Sequence, residues 1–190
     1  RASAYLNDMW VVNTPLDEVV LVLKSVPPRT TWPSGVRYLQ RSLPESRIRR
    51  GEAMSTASPL QTFLDIARLD GFTHALVAAD WLVQFGGFTP VTLQNLVERE
   101  PRFPGKPAAR LAARHASTLS ESAPEAYARA LLIEAGFTDV RANVKVTRWG
   151  YRVDLLIDGW LVVEIDGRVK YDNAPYGPAH KALLDEKTRA

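Results

Sequence analysis

The stretch Arg152-Val153-Asp154-Leu155-Leu156-Ile157-Asp158-Gly159-Trp160-Leu161-Val162-Val163-Glu164-Ile165-Asp166-Gly167 decides how this chain is read. Two runs of aliphatic and β-branched residues flank Asp158-Gly159, a dipeptide suited to the backbone of a tight hairpin turn. Each run reads as a strand, and each carries acid where a strand built only for packing carries none. Three carboxylates, Asp154, Glu164 and Asp166, gathered on an antiparallel hairpin would form an oxygen cage for a hard divalent cation, Mg²⁺ or Mn²⁺. Such a cage points to metal-dependent phosphodiester hydrolysis.

The cage depends on parity. Side chains alternate along a strand, and directly opposed residues of an antiparallel pair share a face. A two-residue turn, Asp158-Gly159, pairs Ile157 with Trp160 and sets Asp154 against Val163, leaving Glu164 on the other face. A three-residue loop, Ile157-Asp158-Gly159 with Gly159 left-handed in a bulge, sets Asp154 against Val162 and Glu164 against Arg152. Asp154, Glu164 and Asp166 then share a face, so the metal reading requires an odd loop or a bulge. The competing reading pairs Asp154 and Glu164 with Arg152 and other cations on a solvated face. Leu156 and Val162 beside the acids weigh against it, because carboxylates among apolar neighbours need a partner.

Upstream, residues 124–135 read as a helix with Ala128, Leu131, Leu132 and Ala135 on one face and Gly136 as its stop. Strands follow at about 140–146, 151–157 and 161–166, and a polar loop leads to a last helix around 180–187. The order is helix, three-stranded antiparallel meander, helix: an α/β unit over residues 117–190. Ser122-Ala123-Pro124-Glu125 fits a capping box in which Ser122 caps the helix and Glu125 reaches back to the cap amide. Glu121 stands four residues before Glu125. Arg141, Lys145, Arg148 and Arg152 occupy a stretch with no acid between them, and Trp149 sits among them. On strands flanking a hydrolytic site these cations would hold phosphates, while Trp149 would stack on a base or wedge a duplex. Ordinary solvation of the cations, and packing of Trp149 in a turn beside Gly150, is the alternative.

The first half, residues 1–116, reads as an α+β unit. A strand over residues 18–26 stops at Pro27-Pro28, and a second lies at 36–39. Helices start at Ser58-Pro59, near His74 and at Thr89-Pro90, where proline suits a first helical position. Residues 101–107 form a linker, and a basic helix runs over 108–116.

Composition limits the alternatives. The 190 residues are 46% hydrophobic, enough for a packed core, and carry a net charge of +3, which suits an acidic partner such as nucleic acid. The absence of cysteine excludes disulfides and thiolate zinc sites. His74, His115 and His180 lack metal-ligand spacing. No P-loop, dinucleotide fingerprint or serine nucleophile elbow occurs. With no long apolar run and no signal peptide, a soluble cytoplasmic protein without membrane attachment is expected. The chain opens on Arg1 and stops within a helix-like run, which reads as part of a longer protein.

The ordered set Glu125-x-x-x-Arg129, Arg152-Val153-Asp154-Leu155 and Val163-Glu164-Ile165-Asp166-Gly167-Arg168-Val169-Lys170-Tyr171 resembles the PD-(D/E)XK nuclease superfamily. More narrowly, it is similar to actinobacterial proteins related to very-short-patch-repair endonucleases. The segment Ser58-Pro59-Leu60-Gln61-Thr62-Phe63-Leu64-Asp65-Ile66-Ala67-Arg68 is similar to an abortive-infection antitoxin-like domain that often precedes such a nuclease. The resemblance implies a restriction-endonuclease-like C-terminal domain that cleaves DNA with Mg²⁺ or Mn²⁺. It implies Glu125 as the helix carboxylate and Asp154, Glu164 and Asp166 as metal ligands. Lys145, Arg148, Trp149, Arg152 and Arg168 would contact nucleic acid. A second copy, or a cognate toxin-type protein, would be a further partner. The superfamily places lysine two residues after the second acid, where this chain has Asp166; Lys170 is the candidate to replace that charge. The departure leaves open a catalytically inactive fold acting as a DNA-binding antitoxin-type regulator or a phage-defence module.

Overall fold

The computed structural model describes residues 2–12, 18–52, 54–146 and 150–166. The fold is mixed α/β. Its elements run α1 (Ala2–Leu6), β1 (Val19–Leu23), β2 (Val36–Gln40), β3 (Ile48–Arg50), β4 (Ser55–Ala57), α2 (Pro59–Leu69), α3 (Gly71–Gln84), α4 (Pro90–Arg99), α5 (Lys106–His115), α6 (Ala123–Glu134), β5 (Val140–Lys145), β6 (Arg152–Ile157) and β7 (Leu161–Val163). The strands form a parallel pair β1-β2, an antiparallel pair β3-β4 and an antiparallel sheet in the order β5-β6-β7. The last helix expected from the sequence lies outside the described residues.

Capping chemistry starts the helices where the sequence marks them. The Ser58 hydroxyl accepts the Gln61 amide at 3.3 Å ahead of Pro59, and Thr89 accepts the Thr92 amide at 3.1 Å ahead of Pro90. Each hydroxyl satisfies a first-turn N–H that has no partner within the helix. The second helix starts at Gly71, before the expected His74, because the apolar face already includes Phe72 and Ala75.

Helix α3 is the centre of the molecule. It packs against α2, α4, α5 and α6, and its buried residues fall all round its axis: Phe72, Leu76, Ala79 and Leu82 form one stripe, and Val77, Ala78 and Asp80 are buried on the other sides. Alanines at 109, 112 and 113 of α5 are fully buried, and their small side chains let α5 approach closely. Gly105 fixes the start of α5: its φ is 89°, and a Cβ there would stand 2.5 Å from the Ala67 carbonyl oxygen.

Helix α6 packs on two sides, against α3 and against β5 and β6. Towards α3 it delivers Arg129, whose guanidinium grips both oxygens of Asp80 at 2.8 Å. The Ser117 amide (2.9 Å) and the Ser120 hydroxyl (2.8 Å) complete the shell of that carboxylate. Arg129 also donates to the His115 carbonyl at 2.8 Å, so one buried pair ties α3, the turn after α5 and α6 together. Burial pushes the Asp80 carboxyl above its ordinary value, against the opposing pull of the Arg129 charge.

Candidate functional site

Strands β6 and β7 meet in the register Leu155 opposite Val163, Leu156 opposite Val162 and Ile157 opposite Leu161. Their link is therefore the three residues Asp158, Gly159 and Trp160. It is odd, as the metal reading requires, yet it lies one residue beyond the Ile157-Asp158-Gly159 loop inferred from the sequence. Asp158 and Gly159 take φ of 49° and 75°, and the Trp160 amide donates to the Ile157 carbonyl at 3.1 Å. Asp158-Gly159 thus makes the turn, and Trp160 is the extra residue that moves the register.

One further step along that register puts Asp154 opposite Glu164 on one face. The opposite face carries Val153, Leu155 and Ile157, all buried. Glu164 does not oppose Arg152, as the shorter loop would have had it; Arg152 opposes Lys145 of β5. The ladder ends at Val163, short of the expected Asp166, because carboxylates take over from backbone carbonyls as acceptors. The Ile165 amide donates to Asp154 Oδ2 at 2.6 Å, and the Asp154 amide approaches Glu164 Oε2 at 3.4 Å. The Tyr151 hydroxyl reaches Glu164 Oε1 at 3.1 Å.

Across the other edge of β6, Asn143 falls opposite Asp154, bracketed by the pairs Ala142–Leu155 and Val144–Val153. Asn143 has φ 50° and drops out of the ladder pairing. Arg152 donates to its carbonyl at 3.0 Å and to its Oδ1 at 3.1 Å. The Asn143 amide group in turn donates to Glu121 Oε1. A polar row, Asn143, Asp154 and Glu164, therefore crosses the sheet, with Glu121 and Arg152 attached to its Asn143 end.

This arrangement overturns the pairing of Asp154 and Glu164 with Arg152. The arginine is committed to Asn143, and among the described residues the acids' oxygens meet a tyrosine hydroxyl and backbone amides. Glu125 sits where the capping box places it, buried at the start of α6. Its Oε1 accepts the Ser122 hydroxyl at 2.6 Å, and its Oε2 accepts the Glu121 amide at 2.7 Å, one residue before the expected cap amide. Glu125 thereby fixes the segment that carries Glu121 to Asn143. Asp166 is exposed, beyond the end of β7. Among the described residues no three His, Cys, Asp or Glu side chains converge on a common cation position, so the sheet offers a pair of acids rather than a cage of three.

Lys145 and Arg152 are both exposed. Like charges directly opposed across a strand pair are destabilising by themselves, which makes this edge receptive to an anion. Arg148, Trp149, Arg168 and Lys170 lie outside the described residues. Asn143 and Tyr151 are the parts of the site that sequence reasoning missed, as is the bond that ties Glu121, noted beside Glu125, to the sheet. Asparagine tolerance of positive φ is the one signal that bore on Asn143.

The donor set fits Mg²⁺ or Mn²⁺: two adjacent carboxylates, all-oxygen chemistry, and a face open enough for the ion to keep several waters. Asp154 and Glu164 would hold it. No family model, no curated protein and no solved structure matches this chain. Among the described residues, no helix is long and apolar enough to cross a membrane.

Proposed function

We propose that this chain is a metal-dependent, cytoplasmic DNA endonuclease, with a restriction-endonuclease-like unit over residues 117–190 related to very-short-patch-repair enzymes. The observation that carries the reading is the register that opposes Asp154 to Glu164 beside the cationic pair Lys145 and Arg152. Two anions held close together gain from a shared cation, and two cations held close together gain from a phosphate. In this reading Asp154 and Glu164 hold Mg²⁺ or Mn²⁺, and Asp166 adds carboxylate charge in the segment that follows. The ion, when bound, lowers the pKa of a water and offsets charge on the scissile phosphate. Lys145 and Arg152 seat the DNA backbone, with Arg148, Trp149 and Arg168 as further contacts and Lys170 as the compensating ammonium. Glu121 and Asn143 hold Arg152 in place, and Glu125 positions Glu121 through the helix cap.

The test is incubation of supercoiled plasmid with the full chain and Mg²⁺ or Mn²⁺. Nicking or linearisation is expected, and it should disappear in Asp154→Ala and Glu164→Ala. No cleavage by the unaltered protein, or equal cleavage by Asp154→Ala, removes the proposal.

One observation favours a second reading. The same carboxylates cap the Ile165 and Asp154 amides where the ladder ends, a structural duty that needs no metal. Together with Asp166 in the place of the superfamily lysine, this suits an inactive nuclease fold serving as a DNA-binding regulator of antitoxin type. Salt-sensitive DNA binding that survives the double substitution Asp154→Ala, Glu164→Ala, without cleavage by the parent, would select it.

A further inference from the structure

A cleft of about 360 Å³ opens between residues 41–47, helix α2 and residues 100–103. Four guanidinium groups line it, those of Arg41, Arg47, Arg68 and Arg102. Two carboxylates answer them. Asp65 accepts two bonds from Arg41 at 2.9 and 3.1 Å and touches Arg68 at 3.7 Å, while Glu100 pairs with Arg47. Four cations less two anions leaves an excess of two positive charges around the cleft.

The donors are also incompletely used. Arg41 Nε, Arg47 Nη1 and Arg68 Nε are buried and find no acceptor among the described residues. A buried donor left in that state is costly, more so when it is charged, so native structures rarely keep several together without a reason. Phe103 stacks under the Arg68 guanidinium at 5.1 Å and holds its plane. Burial and the neighbouring Arg41 charge both act against the charged form of Arg68, and the charge of a bound anion would offset them. Arg102 stands exposed at the rim with no ion pair among the described residues.

We propose that this cleft is a binding site for a phosphate group, carried either by a free nucleotide or by a nucleic-acid strand. A terminal phosphate dianion, or two successive phosphodiesters of a strand, matches the charge excess, which a single carboxylate would only halve. Its oxygens accept several guanidinium bonds at once, the geometry arginine serves best. The volume is at the small end of ligand sites, about 300–1,000 Å³, and suits one nucleotide-sized group against the Phe103 and Leu43 walls. The site lies in the first half of the chain and does not depend on the hydrolytic reading of the C-terminal sheet.

Calorimetric titration of the full chain in EDTA tests it, with inorganic phosphate, adenosine monophosphate, and a short thymidine oligomer with and without a 5′-phosphate as probes. At least one phosphate-bearing probe should bind, more weakly as salt rises. Arg68→Gln should weaken it by about tenfold or more, the scale of one charge-assisted hydrogen bond. Arg102→Ala should weaken it several-fold; its exposed position makes that variant safe for folding, and circular dichroism checks both. A nucleotide that binds as tightly as the phosphorylated oligomer identifies a free nucleotide as the ligand, and an oligomer that binds more tightly identifies a strand. Asp154→Ala should leave this binding unchanged even where it abolishes cleavage, so the two proposals fail separately. Absence of binding by every probe, binding indifferent to both arginine substitutions, or binding lost with Asp154→Ala overturns the assignment.

Discussion

Asp80 in the middle of α3 and Asp154 in the middle of β6 are both carboxylates set among apolar residues, and the molecule treats them in opposite ways. Around Asp80 a guanidinium, an amide and a hydroxyl close the shell completely. That acid is spent on structure: it joins three segments and has no exposed surface. Asp154 is half-buried and faces another acid, and the nearest strand arginine turns away to Asn143. A buried charge with its countercharge inside the protein is an architectural element. An acid pair with no countercharge among the described residues can take one from a bound cation.

That contrast has consequences for substitution. The largest effect is expected at Asp80→Ala, which strands the Arg129 charge in the interior; loss of one member of a buried pair costs about 3–5 kcal/mol, measurable by urea unfolding. A loss below about 1 kcal/mol would show that the pair is not the tie between α3 and α6. Ser122→Ala removes the cap hydroxyl shared by the Glu125 amide and carboxylate and should cost about 1 kcal/mol. Asp154→Ala and Glu164→Ala, at the open end of the ladder, should change stability by no more than about 0.5 kcal/mol while abolishing cleavage. A large loss of stability there would favour the scaffold reading.

The smallest effect concerns pH. Burial, then the charges of Arg129 and Arg114, hold the His115 imidazole below its ordinary pKa. A His with a depressed folded pKa binds fewer protons folded than unfolded, so its contribution is present above about pH 6.5 and is lost as pH falls from there through its folded value. The stability advantage of the parent over His115→Gln should therefore shrink as pH falls from 7.5 to 5.5. Using the difference removes the opposing contribution of Asp80, whose raised pKa favours the folded state in acid.

Local chemistry made much of the fold legible. Ser58-Pro59, Thr89-Pro90 and Ser122-Ala123-Pro124 each announce a helix start, and the structure uses all three hydroxyls as caps. The helix and three strands around the site are equally visible as aliphatic runs. What escaped is weakly patterned or non-local. Strands β3 and β4 have three residues each, with Arg49, Arg50, Ser55 and Thr56 among them, and show no apolar alternation. The long strand expected over residues 18–26 shrinks to Val19–Leu23, ending where its parallel partner β2 does. The Asp80–Arg129 pair joins residues 49 apart in sequence, beyond the reach of any window.

The site was legible in composition and not in register. Acids, cations and a turn dipeptide can be read from the sequence, but Trp160 counts as strand or loop only once Leu161 has paired with Ile157. That single residue decides whether Glu164 meets Asp154 or lies behind it. Asn143 is similar: its left-handed backbone lets it anchor Arg152, and only the folded sheet reveals it.

The most direct measurement is a Mn²⁺ titration of the full chain followed by electron paramagnetic resonance, comparing the parent with Asp154→Asn and Glu164→Gln, which keep size and remove charge. A bound ion that both substitutions weaken by tenfold or more is the predicted result. No bound ion, or binding indifferent to both, would contradict the claim that these two opposed acids are a cation site.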